Sequence, residues 1–253
     1  MISEAETKSA CVQHLVAASK QNLNLQHDDS RVEIIARPGR PLKPELVPPR
    51  NLQRRKLTTT EGHAALIHSL CHIEFNAINL ALDAVYRFRD LPDDYYHDWL
   101  KVTAEEACHF GLLRDHLKTL GYDYGDFPAH NGLWEAAVDT AHDPLVRMAL
   151  VPRVLEARGL DVTPGIIEKL RSIGDNAAVA ILEIIHRDEI GHVAIGSHWF
   201  KFLCQQRSLP MEATFVDLIK TYMHGGVRKP IAHDTRRQAG FTEAELDYLE
   251  NAG

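Results

Sequence analysis

Two stretches of this chain repeat one pattern at one distance: Glu105-Glu106-Ala107-Cys108-His109 and Asp188-Glu189-Ile190-Gly191-His192. Each is an acidic residue followed by Glu-x-x-His, and both Glu106 to Glu189 and His109 to His192 span 83 positions. Glutamate and histidine three apart lie on one helical face about a turn from each other, so both can reach one point in space. One such pair carries little weight in a chain with 15 histidines. A second in register carries far more, and two lone glutamates extend the register. Glu74 precedes Glu106 by 32 positions, Glu156 precedes Glu189 by 33, and the two lone glutamates lie 82 apart. The chain therefore reads as two helical hairpins in tandem, each supplying one glutamate and then a Glu-x-x-His pair.

The rest of the pattern agrees with an all-α fold. Beyond Thr58 there is no sustained two-residue alternation, and Gly and Pro serve as widely spaced punctuation. A helix is predicted over 60–89, capped by Thr59 or Thr60 and closed before Leu91-Pro92, and a second over 93–120, ended by Gly121. A short helix follows over 133–141. The Asp143-Pro144 start signal opens another that ends near Gly159, with Pro152 expected to bend it or open its hydrogen bonding. A connecting helix from about Pro164 leads to a long helix over 176–206. Residues 211–250 read as one or two further helices broken by Gly225-Gly226 and Pro230. Before the hairpins, residues 3–22 have the spaced apolar positions of a short amphipathic helix. Five prolines between Arg37 and Pro49 then rule out helix and imply an extended strap. The expected division is an N-terminal helix and strap over 1–57, a four-helix bundle over 58–208 and C-terminal accessory helices over 209–253.

Composition narrows the function classes. The longest apolar runs, such as Ala177 to Ile185, fall short of the roughly 18 residues of a membrane span. The first residues, MISEAETKSA, lack the basic cap and apolar run of a secretory signal, so a cytoplasmic protein is expected. Cys11, Cys71, Cys108 and Cys204 show no short paired spacing and read as buried free thiols. The net charge of −7 argues against a surface built wholly for nucleic acid. Residues 31–56 nevertheless carry eight basic and two acidic side chains, and subtracting that +6 from −7 leaves −13 for the rest.

The repeated residues point to a metal site. One glutamate from each of two helices and a Glu-x-x-His from each of two others is the ligand set of ferritin-like di-iron and di-manganese carboxylate bundles. Glu74 shares its face with Leu70, Cys71, Ala77, Ile78 and Ala81, and Glu189 with Leu182, Ile185, Val193 and Gly196. Carboxylates placed among such residues need a counter-charge, which two divalent cations supply. Oxygen and imidazole donors without thiolate suit iron or manganese, singly or mixed, better than structural zinc. The ordinary alternative is a set of solvated or ion-paired side chains, with Glu189 on Arg187 or Arg153; six residues in matching register weigh against it. Glu183 and His186 form a rival pair, but Glu183 breaks the register and points about 120° away from Glu189. His186 shares the face of Glu189 and is kept as a group behind the ligands or facing substrate. Arg153, one turn before Glu156, is expected to orient it as an ion pair or else to bind an anionic substrate. Other histidines, such as His63, His68 and His72, read as surface or core filler.

The chain also resembles the ferritin-like family known as domain of unknown function 455. The resemblance runs from about Arg37 to Phe241 and is carried by Arg37-Pro-Gly-Arg-Pro, His72-Ile-Glu74, Leu80-Ala-Leu-Asp83, Glu105-Glu-Ala-Cys-His-Phe110, Tyr124-Gly-Asp126, Arg147-Met-Ala-Leu-Val-Pro-Arg153, Leu155-Glu-Ala-Arg-Gly-Leu-Asp161 and Asp188-Glu-Ile-Gly-His-Val193. It implies a ferritin-like fold with metal ligands at Glu74, Glu106, His109, Glu156, Glu189 and His192, and it implies no reaction. The ligand order is more distantly similar to di-iron tRNA hydroxylases and quinone-biosynthesis hydroxylases, an analogy that fixes no substrate.

Three functions follow as expectations. The first is a di-iron or di-manganese oxidase or hydroxylase using dioxygen and an electron donor on a small molecule or RNA nucleotide, as a monomer or homodimer rather than a cage. The second is iron handling, which needs the same ligands but a hollow assembly for storage. The third is RNA or partner binding through the basic strap, which would weaken steeply with salt.

Overall fold

The computed structural model describes residues 2–19 and 30–251. Regular structure among the described residues is helical, with one isolated bridge between Leu46 and Ala129. Residues Met1–Val138 and Asp139–Gly253 form two compact units.

In the first unit, α1 (Ala5–Ser19) buries Ala5, Lys8 and Val12 along one stripe. Its expected continuation over 20–22 lies outside the described residues. Two long helices, α2 (Thr60–Arg87) and α3 (Asp93–Thr119), pack along each other as a hairpin, and α1 lies on α3. Thr59 caps α2, its Oγ1 accepting from the Gly62 N–H at 3.0 Å. The chain comes so close there that a Cβ on Gly62 would stand 2.1 Å from the Lys56 carbonyl oxygen. Gly121, at φ +84°, ends α3 in the left-handed conformation, and the Tyr122 N–H closes on the Leu117 carbonyl at 3.3 Å. The short α4 (Gly132–Asp139) follows.

The strap is extended, as its prolines require, apart from one 3-10 turn over Pro49–Asn51. It is tied along this unit by exchanged bonds with Ala129 (Val47 N–H to its carbonyl, its N–H to the Glu45 carbonyl; 2.8 and 2.9 Å). The Trp134 indole N–H donates to the Ala36 carbonyl, and the Glu33 N–H to the Tyr86 hydroxyl. By length and composition α2 would suffice to cross a membrane, yet 67% of its most apolar window is buried in the protein.

In the second unit, α5 (Pro144–Leu150) is capped by Asp143 and runs into a π-helical turn over Val151–Glu156, which continues as α6 (Ala157–Ser172). The expected end near Gly159 and restart near Pro164 are not found: α6 passes through both. Leu160, Thr163, Ile167 and Leu170 keep a buried stripe at helical spacing across that stretch, and their packing outweighs the roughly 3 kcal/mol that an interior proline costs. Pro152 does open the hydrogen bonding, since the π turn begins beside it. The next helix, α7 (Asn176–Gln206), is capped by Asp175 and packs on α5, α6 and the π turn.

Pro152 also explains Gly196. A Cβ on Gly196 would lie 2.4 Å from both Cβ and Cγ of the Pro152 ring, so α7 meets the ring with bare backbone. Three helices rather than the expected one or two complete this unit: α8 (Met211–Tyr222), α9 (His233–Gln238) and α10 (Glu243–Asn251). The last opens with a capping box, in which Glu245 accepts from the Thr242 N–H at 3.0 Å and Thr242 accepts from the Glu245 N–H at 3.3 Å.

Candidate metal centre

The first hairpin brings its three predicted ligands together. Glu74 comes from the middle of α2, where Cys71, Phe75, Ala77, Ile78 and Ala81 are all buried. Glu106 and His109 come from one face of α3, between buried Val102, Thr103 and Phe110. His109 Nδ1 lies 3.3 Å from Glu74 Oε2 and 3.5 Å from Glu106 Oε2. Each of the three offers one ligand atom, and these atoms lie within 4.8 Å of one another. All three residues are at least 96% buried. Burial alone would depress the His109 pKa, but hydrogen bonding to Glu106 and Glu74 and their charge push it up to about 11. The cluster therefore attracts positive charge strongly at the place where the imidazole points.

The second hairpin presents the matching residues. Glu189 and His192 share one face of α7, with His192 Nδ1 at 3.7 Å from Glu189 Oε1. Glu156 closes the π turn. In all six residues of the register a carboxylate oxygen or ring nitrogen is shielded from solvent. Such a π turn inside an α-helix is often found at functional sites, because it re-aims one side chain without ending the helix. His186 is half-buried, its pKa is lowered by burial, and its Nδ1 is shielded and makes no hydrogen bond among the described residues. Glu183 is exposed and pairs with Arg171 at 3.1 Å, consistent with its exclusion from the ligand set.

Arg153 departs from expectation. It does not orient Glu156: its Nη2 donates to Glu245 Oε2 at 2.7 Å and its Nε to Ser197 Oγ at 3.1 Å. The guanidinium is enclosed by the rings of Phe200, Phe215 and Phe241, with centroids at 4.7, 4.2 and 4.4 Å. The aromatic residues and Glu245 come from remote parts of the sequence, so they outcompete a partner one turn away without leaving a local signal. Beside it Arg236 grips Asp161 with two bonds of 2.9 and 2.7 Å and donates to the Arg153 carbonyl at 3.3 Å. Thr242-x-x-Glu245 was the legible trace of this arrangement, being the start signature of α10.

Two of the histidines read as filler, His68 and His72, belong to an organised polar network in the first unit. His68 Nε2 accepts from the Gly125 N–H at 3.0 Å. His72 lies between the Tyr124 hydroxyl (Nδ1, 2.9 Å) and the His130 carbonyl (Nε2, 3.0 Å). Burial lowers the pKa of both to about 4, so these rings are neutral, unlike His109. The cysteines divide: Cys71 and Cys204 are buried, whereas Cys11 and Cys108 are exposed, and all four are free thiols.

Fold and residue chemistry thus define an all-helical protein with a buried cluster of carboxylates and histidine that could hold a metal ion. The chain belongs to the family described as Protein of unknown function (DUF455), whose model matches residues 1–247. A protein of Haemophilus influenzae (strain ATCC 51907 / DSM 11121 / KW20 / Rd), described as an uncharacterized protein, is 53% identical over 216 residues, covering 83% of this chain and 75% of its own length. No solved structure matches the chain.

Proposed function

We propose that the chain is a ferritin-like dinuclear metalloprotein in which Glu74, Glu106, His109, Glu156, Glu189 and His192 hold two iron or manganese ions for an oxygen-dependent oxidation. The observation that carries this reading is the convergence of Glu74, Glu106 and His109: three buried ligand atoms within 4.8 Å, with two carboxylates on one imidazole. Oxygen and imidazole donors fit iron or manganese. The repeat of the same residues on the π turn and α7 supplies the matching half of the set. Bound there, ferrous ions would supply the electrons that reduce dioxygen.

The chain's own residues have definite tasks. Glu74 and Glu106 would provide the charge that compensates a cation in a buried setting, and His109, which these carboxylates favour in its protonated form, would hold a metal only as the neutral ring. Buried Phe75, Phe110 and Ile78 around the first half-site keep water away. His186 stands a turn before Glu189 with a shielded ring nitrogen suited to take or give a proton. The substrate is a small molecule or a nucleotide of RNA, electrons come from a separate donor, and the protein acts in the cytoplasm as a monomer or dimer.

Metal analysis of freshly purified protein, with anomalous scattering at the iron and manganese edges, tests the reading directly. Two ions per chain are expected in the wild type and a clear loss in Glu106→Ala. Protein loaded anaerobically with Fe(II) is expected to consume oxygen. Trace metal only, in protein that also fails to take up added Fe(II) or Mn(II), overturns it. A large hollow assembly on a sizing column would replace oxidation of an organic substrate by iron storage.

A further inference from the structure

A cavity in the first unit is lined by residues that the metal reading does not use. Lys8 belongs to the buried stripe of α1, where an ammonium is out of place: it is only 6% exposed. It donates to the Gly39 carbonyl and Asn79 Oδ1, both neutral, and lies 5.1 Å from the centroid of the Phe75 ring. No carboxylate pairs with it among the described residues. Burial lowers its pKa to about 8, so near neutral pH most of it still carries its charge. A buried cation with no counter-ion is costly, and an incoming anion relieves that cost.

Lys8 lines a cavity of about 470 Å³ with Val12, Leu15, Leu82, Tyr86 and Trp134. That volume falls in the roughly 300–1,000 Å³ range of small-molecule sites, whose usual pattern is an apolar wall with a few placed polar groups. Half-exposed Ile2 and Leu15 form an apolar part of the rim. Two acidic residues also reach the cavity. Asp83 is bound by Arg87, with Nη2 to Oδ1 at 2.6 Å, and Glu33 is exposed to water. Asp83 is buried too, but its charge is met by Arg87, which leaves Lys8 as the buried charge of the lining with no opposite charge bonded to it among the described residues.

We propose that this cavity binds an amphipathic carboxylate, its head group on the Lys8 ammonium and its apolar chain along Val12, Leu82 and Trp134. The head makes a charge-assisted hydrogen bond in a poorly solvated place, and the chain replaces water against an apolar wall. A neutral alcohol of the same length gains only the second contribution. The site stands whether or not the chain binds metal.

Trp134 provides a local reporter, since Trp99 and Trp199 do not line the cavity. In the full-length protein, bromoundecanoate is expected to quench tryptophan fluorescence saturably and to be displaced by decanoate below micelle-forming concentrations. Decanol should displace it about tenfold less well, equivalent to about 1.4 kcal/mol. Lys8→Met should remove the preference for decanoate over decanol, and Trp134→Phe should remove the quench while decanoate still raises the unfolding temperature. Should Lys8→Met not fold, Leu82→Trp keeps the ammonium but fills the cavity, and it should abolish binding. The proposal is overturned by absence of saturable quenching, by equal displacement with decanol and decanoate, or by wild-type binding in either Lys8→Met or Leu82→Trp.

Discussion

In the C-terminal unit Glu245 meets Arg153 and Asp161 meets Arg236, each pair nearly or wholly buried. In the N-terminal unit Glu74 and Glu106 converge on the single ring of His109. The first arrangement gives each carboxylate at least one guanidinium, Asp161 having Arg158 at 3.5 Å besides Arg236, with ring faces and a backbone carbonyl around the arginines. It has the form of a structural lock. The second places two carboxylates against one imidazole and concentrates oxygen and nitrogen donors, which is the form of a cation site. Burial is common to both, so burial alone does not separate structure from function; the ratio of donors to acceptors does.

The largest test of this contrast removes one partner of the lock. Arg153→Met leaves Glu245 buried opposite an apolar side chain and is expected to lower unfolding stability by about 3–5 kcal/mol in urea titrations. Glu74→Leu in metal-free protein is expected to be neutral or stabilising, because it relieves crowding of negative charge. If both substitutions cost the same, the two arrangements are alike and the contrast is wrong.

Metal removal comes next in size. Protein held at 100 times its metal Kd should lose about 2.7 kcal/mol of stability on chelation, whereas Glu106→Ala should be almost insensitive to chelator. Differential scanning calorimetry with and without chelator reads this, and an equal shift in both proteins would place the metal elsewhere.

Packing beside the candidate ligands of the second unit should be less costly to disturb. Gly196→Ala drives a methyl group into the Pro152 ring and is expected to cost about 1–3 kcal/mol. Gly191→Ala, on the same helix with nothing within 4 Å of the added Cβ, should instead gain up to about 1 kcal/mol from helix propensity. Equal effects of the two would show that helix propensity, not the ring contact, governs both positions.

The smallest effect per unit of change, no more than about 1.4 kcal/mol for each pH unit, distinguishes the two kinds of histidine in the N-terminal unit. Burial lowers the folded pKa of His68 to about 4 against 6.5 for a free imidazole, so the unfolded chain binds the extra proton first. Its contribution is complete above about pH 6.5 and declines as pH falls towards 4, by no more than about 1.4 kcal/mol per unit. Urea midpoints measured across that window should fall less steeply in His68→Gln than in wild type. An unchanged slope would mean that His68 titrates normally.

Much of this was legible in the sequence because it is local. The sequence pattern places α7 over 176–206, its observed limits, and Pro152 announces the opened turn. The grouping of Glu74 with Glu106 and His109 follows from two adjacent helices with known pitch. What escaped is the product of distant contacts. Nothing near Arg153 points to Glu245, 92 positions away, or to three phenylalanine rings around it. The passage of α6 through Gly159 and Pro164 depends on a buried stripe whose value is set by neighbours. His68 and His72 look like ordinary histidines until Tyr124 and the loop carrying Gly125 and His130 are folded over them. Lys8 left a faint trace, a basic residue on the apolar stripe with Ala5 and Val12.

The contact between Pro152 and Gly196 has a further effect. Pro152 stands four residues before Glu156 and Gly196 four residues after His192, so one helical turn separates the contact from a candidate ligand on each side. Ring and bare backbone act as a key and its slot: rotating or sliding α7 by one residue would put a side chain where only hydrogen fits. The bearing of the candidate ligands on α7 towards Glu156 is thereby indexed by two residues that carry no charge.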